Sequence, residues 1–167
     1  STLAALGENG SMILSAGHNL TMGTDELTAK KDMTEDSDNY IRTYRKTETS
    51  NTLTAGKDIT MTSGNDMKAR NTTVASENGQ ISIKAANDIT IENGYIESKD
   101  DYGLKYKESG FLSHKTTTIK SHDESKTATG SMISGDKVSV ISGGNTTITA
   151  SNVVGTNDVS ITSGKDT

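Results

Sequence analysis

Aspartate or asparagine recurs at the end of a short, small-residue corner. Asn19, Asp58, Asp88, Asn145 and Asp166 follow Gly17-His18, Gly56-Lys57, Ala86-Asn87, Gly143-Gly144 and Gly164-Lys165. Carboxylates stacked one above another could do two kinds of chemistry. They could hold calcium through hard oxygen ligands, or supply the acid and base pair of a glycosidase. A carbohydrate-active enzyme would draw on Asp58, Asp66 and Asp88 as its nucleus. Against both, each acid sits where a turn demands it, and asparagine replaces aspartate freely, as turn chemistry permits. The calcium-binding nonapeptide G-G-x-G-x-D does not occur.

The histidines add little to the case for catalysis. His18 is the middle of a corner, and His114 and His122 lie beside Asp123 and Glu124 without a defined third ligand or ordered second shell. Serine and threonine are abundant but lack a context such as G-x-S-x-G. No catalytic residue, cofactor site or metal ligand is assigned, and the chain is not expected to be an enzyme. Contact chemistry is better represented. Tyr40, Tyr44, Tyr102, Tyr106, Phe111 and His114 interleave with Arg42, Arg45, Lys46, Lys105, Lys107, Lys115 and Lys120. Such a mixture suits anionic glycans, lipid headgroups or a protein partner. Two amphipathic hairpins packing on each other and on the rod, with solvated lysines, account for it better, because lysine is depleted from interface cores. These six residues are the candidate interaction surface.

The elements that must position these residues follow from periodicity. Ile81–Ile91, I-S-I-K-A-A-N-D-I-T-I, is a pair of alternating triplets around a corner, the pattern of half-buried strands. The template fits Met12–Met22, with Met12, Leu14, Leu20 and Met22 inward, and again Leu53–Met61 and Val138–Ile148. Glycine with φ > 0 and asparagine or aspartate would make the bends. A further corner is available at Gly64-Asn65-Asp66. Ser131–Ala150 and Ser151–Thr167 align as a repeat of about twenty residues, the signature of a β-solenoid.

Composition agrees with coils. The chain has 167 residues, 30% hydrophobic, with no cysteine and no proline, so no disulfide contributes and the backbone ladders are uninterrupted. A net charge of −5 argues against nucleic acid as a partner. Two stretches break the pattern, near 28–50 and 99–130, and both read as β-hairpin excursions. Setting them aside leaves roughly six coils at that period. The whole of 1–167 reads as one β-helix piece of a longer solenoid, with flanking β-helix repeats of the same polypeptide as its immediate partners.

These residues resemble a known family. A-G-K-D-I-T-M (from Ala55), A-N-D-I-T-I (from Ala86), S-G-G-N-T-T-I (from Ser142) and S-N-V-V-G (from Ser151) are similar to the haemagglutinin repeats of filamentous-haemagglutinin-type exoproteins. E-S-G-F-L-S-H-K-T-T-T (from Glu108), followed by G-S-M-I-S-G-D-K-V, resembles the later repeat region of contact-dependent growth-inhibition effectors. The resemblance implies an all-β, right-handed parallel β-helix in an exoprotein exported by an outer-membrane secretion partner. It also implies a secreted or bacterial cell-surface location, and service as a filament stalk in adhesion or in toxin delivery to a target cell. The alternatives are a glycan- or protein-binding module acting through the excursions, or a carbohydrate-active β-helix enzyme.

Overall fold

A computed structural model describes residues 1–167, all strand and turn. The chain begins with β1 (Thr2–Ala5), β2 (Met12–Ala16) and β3 (Leu20–Met22), then leaves through β4 (Glu26–Thr34) and β5 (Tyr40–Glu48). It resumes with β6 (Asn51–Ala55), β7 (Ile59–Ser63), β8 (Met67–Arg70), β9 (Thr72–Ser76), β10 (Gln80–Ala85) and β11 (Ile89–Glu92). A second departure, β12 (Gly94–Ser109) and β13 (His114–Thr129), precedes β14 (Met132–Ser142), β15 (Thr146–Ile148) and β16 (Asn152–Ser163). Two units result. One comprises residues 1–25, 49–94 and 128–167, the other residues 26–48 and 95–127.

The first unit is a parallel β-helix with three strands per coil. Thr2 pairs with Thr52, Thr52 with Thr73, Thr73 with Met132 and Met132 with Asn152, so five coils stack rather than six. Ile59 pairs with Ile81, a step of 22 residues (81 − 59), slightly longer than the repeat visible in the sequence. In the fourth and fifth coils the first two strands merge into β14 and β16, with an irregularity between Gly135 and Lys137.

Period-two alternation places one side chain in two inside each coil. Leu53, Val74 and Ile133 form one inward stack, Ile59, Ile81 and Val138 a second, Met61, Ile83 and Val140 a third, and all are buried. Met12, Leu14 and Leu20 pack against this core from the first coil. Thr146 occupies an apolar place on the Met67–Ile89 row, and its hydroxyl meets Ser142 Oγ at 2.8 Å, which satisfies the polar atom it buries.

The corners need two corrections. Gly56-Lys57-Asp58 does not stack with Gly17-His18-Asn19; the true partner is Gly64-Asn65-Asp66, since Met12–Ala16 pairs with Ile59–Ser63 and Leu20 with Met67. Gly56-Lys57-Asp58 belongs to the preceding corner, where Asn78 N donates to Gly56 O at 3.2 Å. Both corners use the same residue types, so composition alone does not tell them apart. Nor do these glycines take positive φ. Gly64 is small because a Cβ there would meet the carbonyl of Gly17 in the coil beneath. The left-handed backbone falls instead at the third corner, on Asn71 (φ 47°) and Ala150 (φ 44°). The two departures leave the coil path at this third corner, after β3 and after β11.

Candidate interaction surface

At the acidic corners the side chains bond from coil to coil. Asn19 Oδ1 accepts from Asn65 Nδ2 at 2.9 Å and Asp66 N at 3.2 Å. Asp66 Oδ1 accepts from Asn87 Nδ2 at 2.8 Å and Asp88 N at 3.2 Å, and Asp88 Oδ1 from Asn145 N at 2.7 Å. Each side chain thus binds the backbone of the next coil. Asp58 lies on a different corner and accepts from Gln80 N at 3.0 Å. The three carboxylates Asp58, Asp66 and Asp88 do not share one site. His18 lies exposed in its corner, its carbonyl accepting from Asn65 N at 2.9 Å.

All five tyrosines and Phe111 lie in the second unit, a four-stranded sheet in the order β13-β12-β5-β4. The β4–β5 turn is closed by Asp36, whose Oδ1 accepts from the backbone N of Asp38 at 2.7 Å and of Asn39 at 2.8 Å. The same turn is fastened to the other hairpin. Asn39 Oδ1 accepts from Lys105 N at 2.8 Å, and Asp38 pairs with Lys105 at 2.8 Å and Lys120 at 2.9 Å. Hydrogen bonds from the two lysines, Lys105 first, lower the Asp38 carboxyl to about 2.

Antiparallel register decides what each face carries. Tyr40 opposes Thr34 and Gly103; Arg42 opposes Asp32 and Asp101; Tyr44 opposes Lys30 and Lys99; Lys46 opposes Thr28 and Glu97. This face is a charge ladder. Lys46 meets Glu26 at 2.6 Å, Arg42 meets Asp32 at 3.4 Å, Lys99 meets Glu124 at 2.7 Å and Lys126 meets Glu97 at 2.9 Å. His122 Nδ1 contacts Asp101 Oδ1, and its Nε2 stands 3.5 Å from Glu124. The Asp101 hydrogen bond raises the imidazole above its usual value. Cations also lie over rings: Arg42 over Tyr40 at 4.7 Å, Lys30 over Tyr44 at 5.5 Å and Lys126 over Tyr95 at 4.3 Å. Gly103 is small because the Tyr40 ring lies across it.

The opposite face carries Met33, Ile41 and Tyr102 in one cross-strand row, all exposed, with Leu104 and Tyr106 continuing along β12. Met33, Ile41, Tyr102 and Leu104 line an open groove of about 590 Å³ rimmed by Asp32, Glu35 and Asn39. Pairing of β12 with β5 ends at Gly103, so β12 and β13 run on alone to a tip at Gly110–Ser113. At that tip Phe111 and Leu112 are fully exposed, and His114 is exposed beside them.

The six residues singled out from the sequence therefore occupy three places. Tyr40 and Tyr44 are half-buried on the charged face, Tyr102 and Tyr106 lie on the apolar face, and Phe111 and His114 are at the tip. Tyr95, Met33, Ile41, Leu104 and Leu112 were not singled out. Alternation within Y-G-L-K-Y and the F-L pair at the turn were the signals that could have found Leu104 and Leu112.

A family model described as hemagglutinin repeat matches residues 33–167. Over 162 residues, 92% of the chain, it is 27% identical to a protein of Burkholderia pseudomallei (strain 1026b) named tRNA nuclease CdiA-2, covering 5% of that relative. It is 35% identical over 86 residues, 52% of the chain, to a tRNA nuclease CdiA of Escherichia coli (strain STEC_O31), covering 3% of it. It is 41% identical over 70 residues, 42% of the chain, to the tRNA nuclease CdiA of Escherichia coli O6:K15:H31 (strain 536), covering 2% of it. The chain spans 5% or less of each of these relatives. No solved structure matches it.

Proposed function

The chain belongs to the hemagglutinin-repeat family, and from that premise we propose that it is a non-catalytic stalk segment of a secreted, surface-associated exoprotein whose excursion sheet makes contact with a target cell. The coils supply a stack that neighbouring repeats extend in both directions. Leu3, Val159 and Ile161 on the end coils align with inward core residues yet are exposed, and a further coil at each end would cover them. Export through an outer-membrane partner and carriage of a toxin such as the nuclease named in the relatives belong to the whole exoprotein. In this reading the chain serves that delivery mechanically, by carrying a contact surface.

The observation that carries the contact role is the tip. Phe111 and Leu112 are fully exposed at the end of a two-stranded ribbon, where a soluble fold gains nothing by placing them. Lys107 and Lys115 flank them in sequence and suit an anionic surface. The test is binding of the purified chain to Gram-negative cells, comparing it with the double variant Phe111→Ser/Leu112→Ser. The variant should keep its β-sheet circular dichroism and lose at least about tenfold in binding, as removal of an anchoring aromatic does at an interface. Equal binding by the two proteins would contradict the contact role and leave a plain stalk.

A further inference from the structure

The two faces of the excursion sheet treat their charges differently. On the face of Tyr40, acids and bases close on one another within the chain: Glu26 with Lys46, Asp32 with Arg42, Glu97 with Lys126, Glu124 with Lys99 and Asp101 with His122. Because His122, Glu124 and Lys126 reach β12 on that face, Ile119, Ser121 and Asp123 project from the other. There Lys31, Thr43 and Asp100 form one cross-strand row, and the Lys99–Glu124 and Asp101–His122 contacts on either side place Asp123 next to Asp100 on β13. Arg45 lies one row away, opposite Ala29 and Ser98. Among the chain's ion pairs, none involves Lys31, Arg45, Asp100 or Asp123. Asp100 and Asp123 are met only by Ser98 Oγ at 3.5 Å and Ser121 Oγ at 3.1 Å. Base stands on the β4 side of this row and acid on the β12–β13 side.

Next to that divided row lies the apolar patch of Met33, Ile41, Tyr102, Leu104, Tyr106 and Ile119, every one exposed. Its free surface is on the order of 500 Å², within the range of the largest patches that monomeric proteins leave open, many of which are functional.

We propose that this face is a self-association surface, covered by the same face of a second copy of the chain about a two-fold axis parallel to the strands. That axis exchanges left and right while keeping each row at its own level. It sets Lys31 and Arg45 of one copy against Asp100 and Asp123 of the other, and lays each Tyr102 toward the other copy's Ile41. A two-fold axis across the strands would instead set acid on acid. The charges thus select one of the two symmetric arrangements, as complementary potentials do at interfaces. Face-to-face sheets pack about 10 Å apart, close enough for these side chains to meet. Covering the patch on both copies removes roughly 1,000 Å², the lower bound for a specific interface. The sheet's edges suit association less, because lysines stand along both: Lys30 and Lys31 on β4, Lys115, Lys120 and Lys126 on β13.

The test is sedimentation of the 167-residue chain over a range of concentrations, with circular dichroism confirming the fold of each variant. Wild type should reach twice the 17.6 kDa chain mass. Lys31→Asp should move the monomer–dimer midpoint to at least about tenfold higher concentration by placing acid against acid. The quadruple variant Lys31→Asp/Arg45→Asp/Asp100→Lys/Asp123→Lys, which reverses every one of these charges, should restore it. Ile41→Lys, at an exposed position, should hold the chain monomeric, and it decides the matter if a charge variant misfolds. A chain that stays monomeric at every concentration overturns the proposal. So do assemblies indifferent to these substitutions, which would mean that copies meet through strand edges or coil ends.

Discussion

Ile89 is 1% exposed, between Met67 and Thr146 of the adjoining coils, whereas Thr90 beside it is only half-buried. Ile89→Asp should cost several kcal/mol, because it buries a charge with no partner. Thr90→Asp should cost less than about 1 kcal/mol, as substitutions away from the core do. Thermal melts followed by circular dichroism separate the two, and equal losses would place the strand in the wrong register. Ala150 holds φ 44°, a region a side chain enters only with strain. Ala150→Gly should therefore raise stability by up to about 1 kcal/mol. At His122 the folded state raises the pKa, chiefly through the Asp101 hydrogen bond. The imidazolium contact is then fully present below the ordinary histidine value and is lost as pH rises through the elevated one. A ring titration by NMR should give a midpoint above the ordinary histidine value, falling back in Asp101→Asn.

Among the elements, the β4–β5 turn owes its place to Asp38, which bridges Lys105 on β12 and Lys120 on β13. Its carboxyl is lowered in the folded state to about 2 from 3.8, so its contribution is complete above the ordinary value and fades as pH falls toward the lowered one. Asp38→Ala should speed amide exchange at Asn39 and Lys105, whose own hydrogen bond depends on the turn staying docked, while Ile81 and Ile89 exchange as before. Much of this level was legible in the sequence. Alternation marked I-S-I-K-A-A-N-D-I-T-I as two strands with the correct inward residues, and E-S-G ahead of a Thr-rich return strand marked a hairpin, whose turn falls slightly later, after Ser109. The corner order was not legible, because G-K-D and G-N-D obey the same turn chemistry, and only the pairing of Ile59 with Met12 decides between them. The faces of the excursion sheet were also hidden. Which side of β5 a tyrosine occupies depends on pairing with β12, more than fifty residues away in the chain, as the Tyr40–Gly103 pair shows (103 − 40 = 63).

For the whole molecule, a coil must satisfy local rules at every turn, so its period survives in the sequence. A sheet assembled from two distant insertions leaves only scattered tyrosines and lysines as its trace. The charge ladder and the self-association face both require that β5 and β12 pair in the stated register. Cysteine is absent from the chain, so a designed pair has no competitor. The measurement is disulfide formation in Arg45→Cys/Ser98→Cys, whose positions are cross-strand partners, with Arg45→Cys/Lys105→Cys as the control. Adjacent antiparallel partners lie about 4.5 to 5.5 Å apart, within disulfide reach. The account predicts rapid intramolecular closure in the first variant and free thiols in the control. Free thiols in both, or closure in both alike, would contradict it.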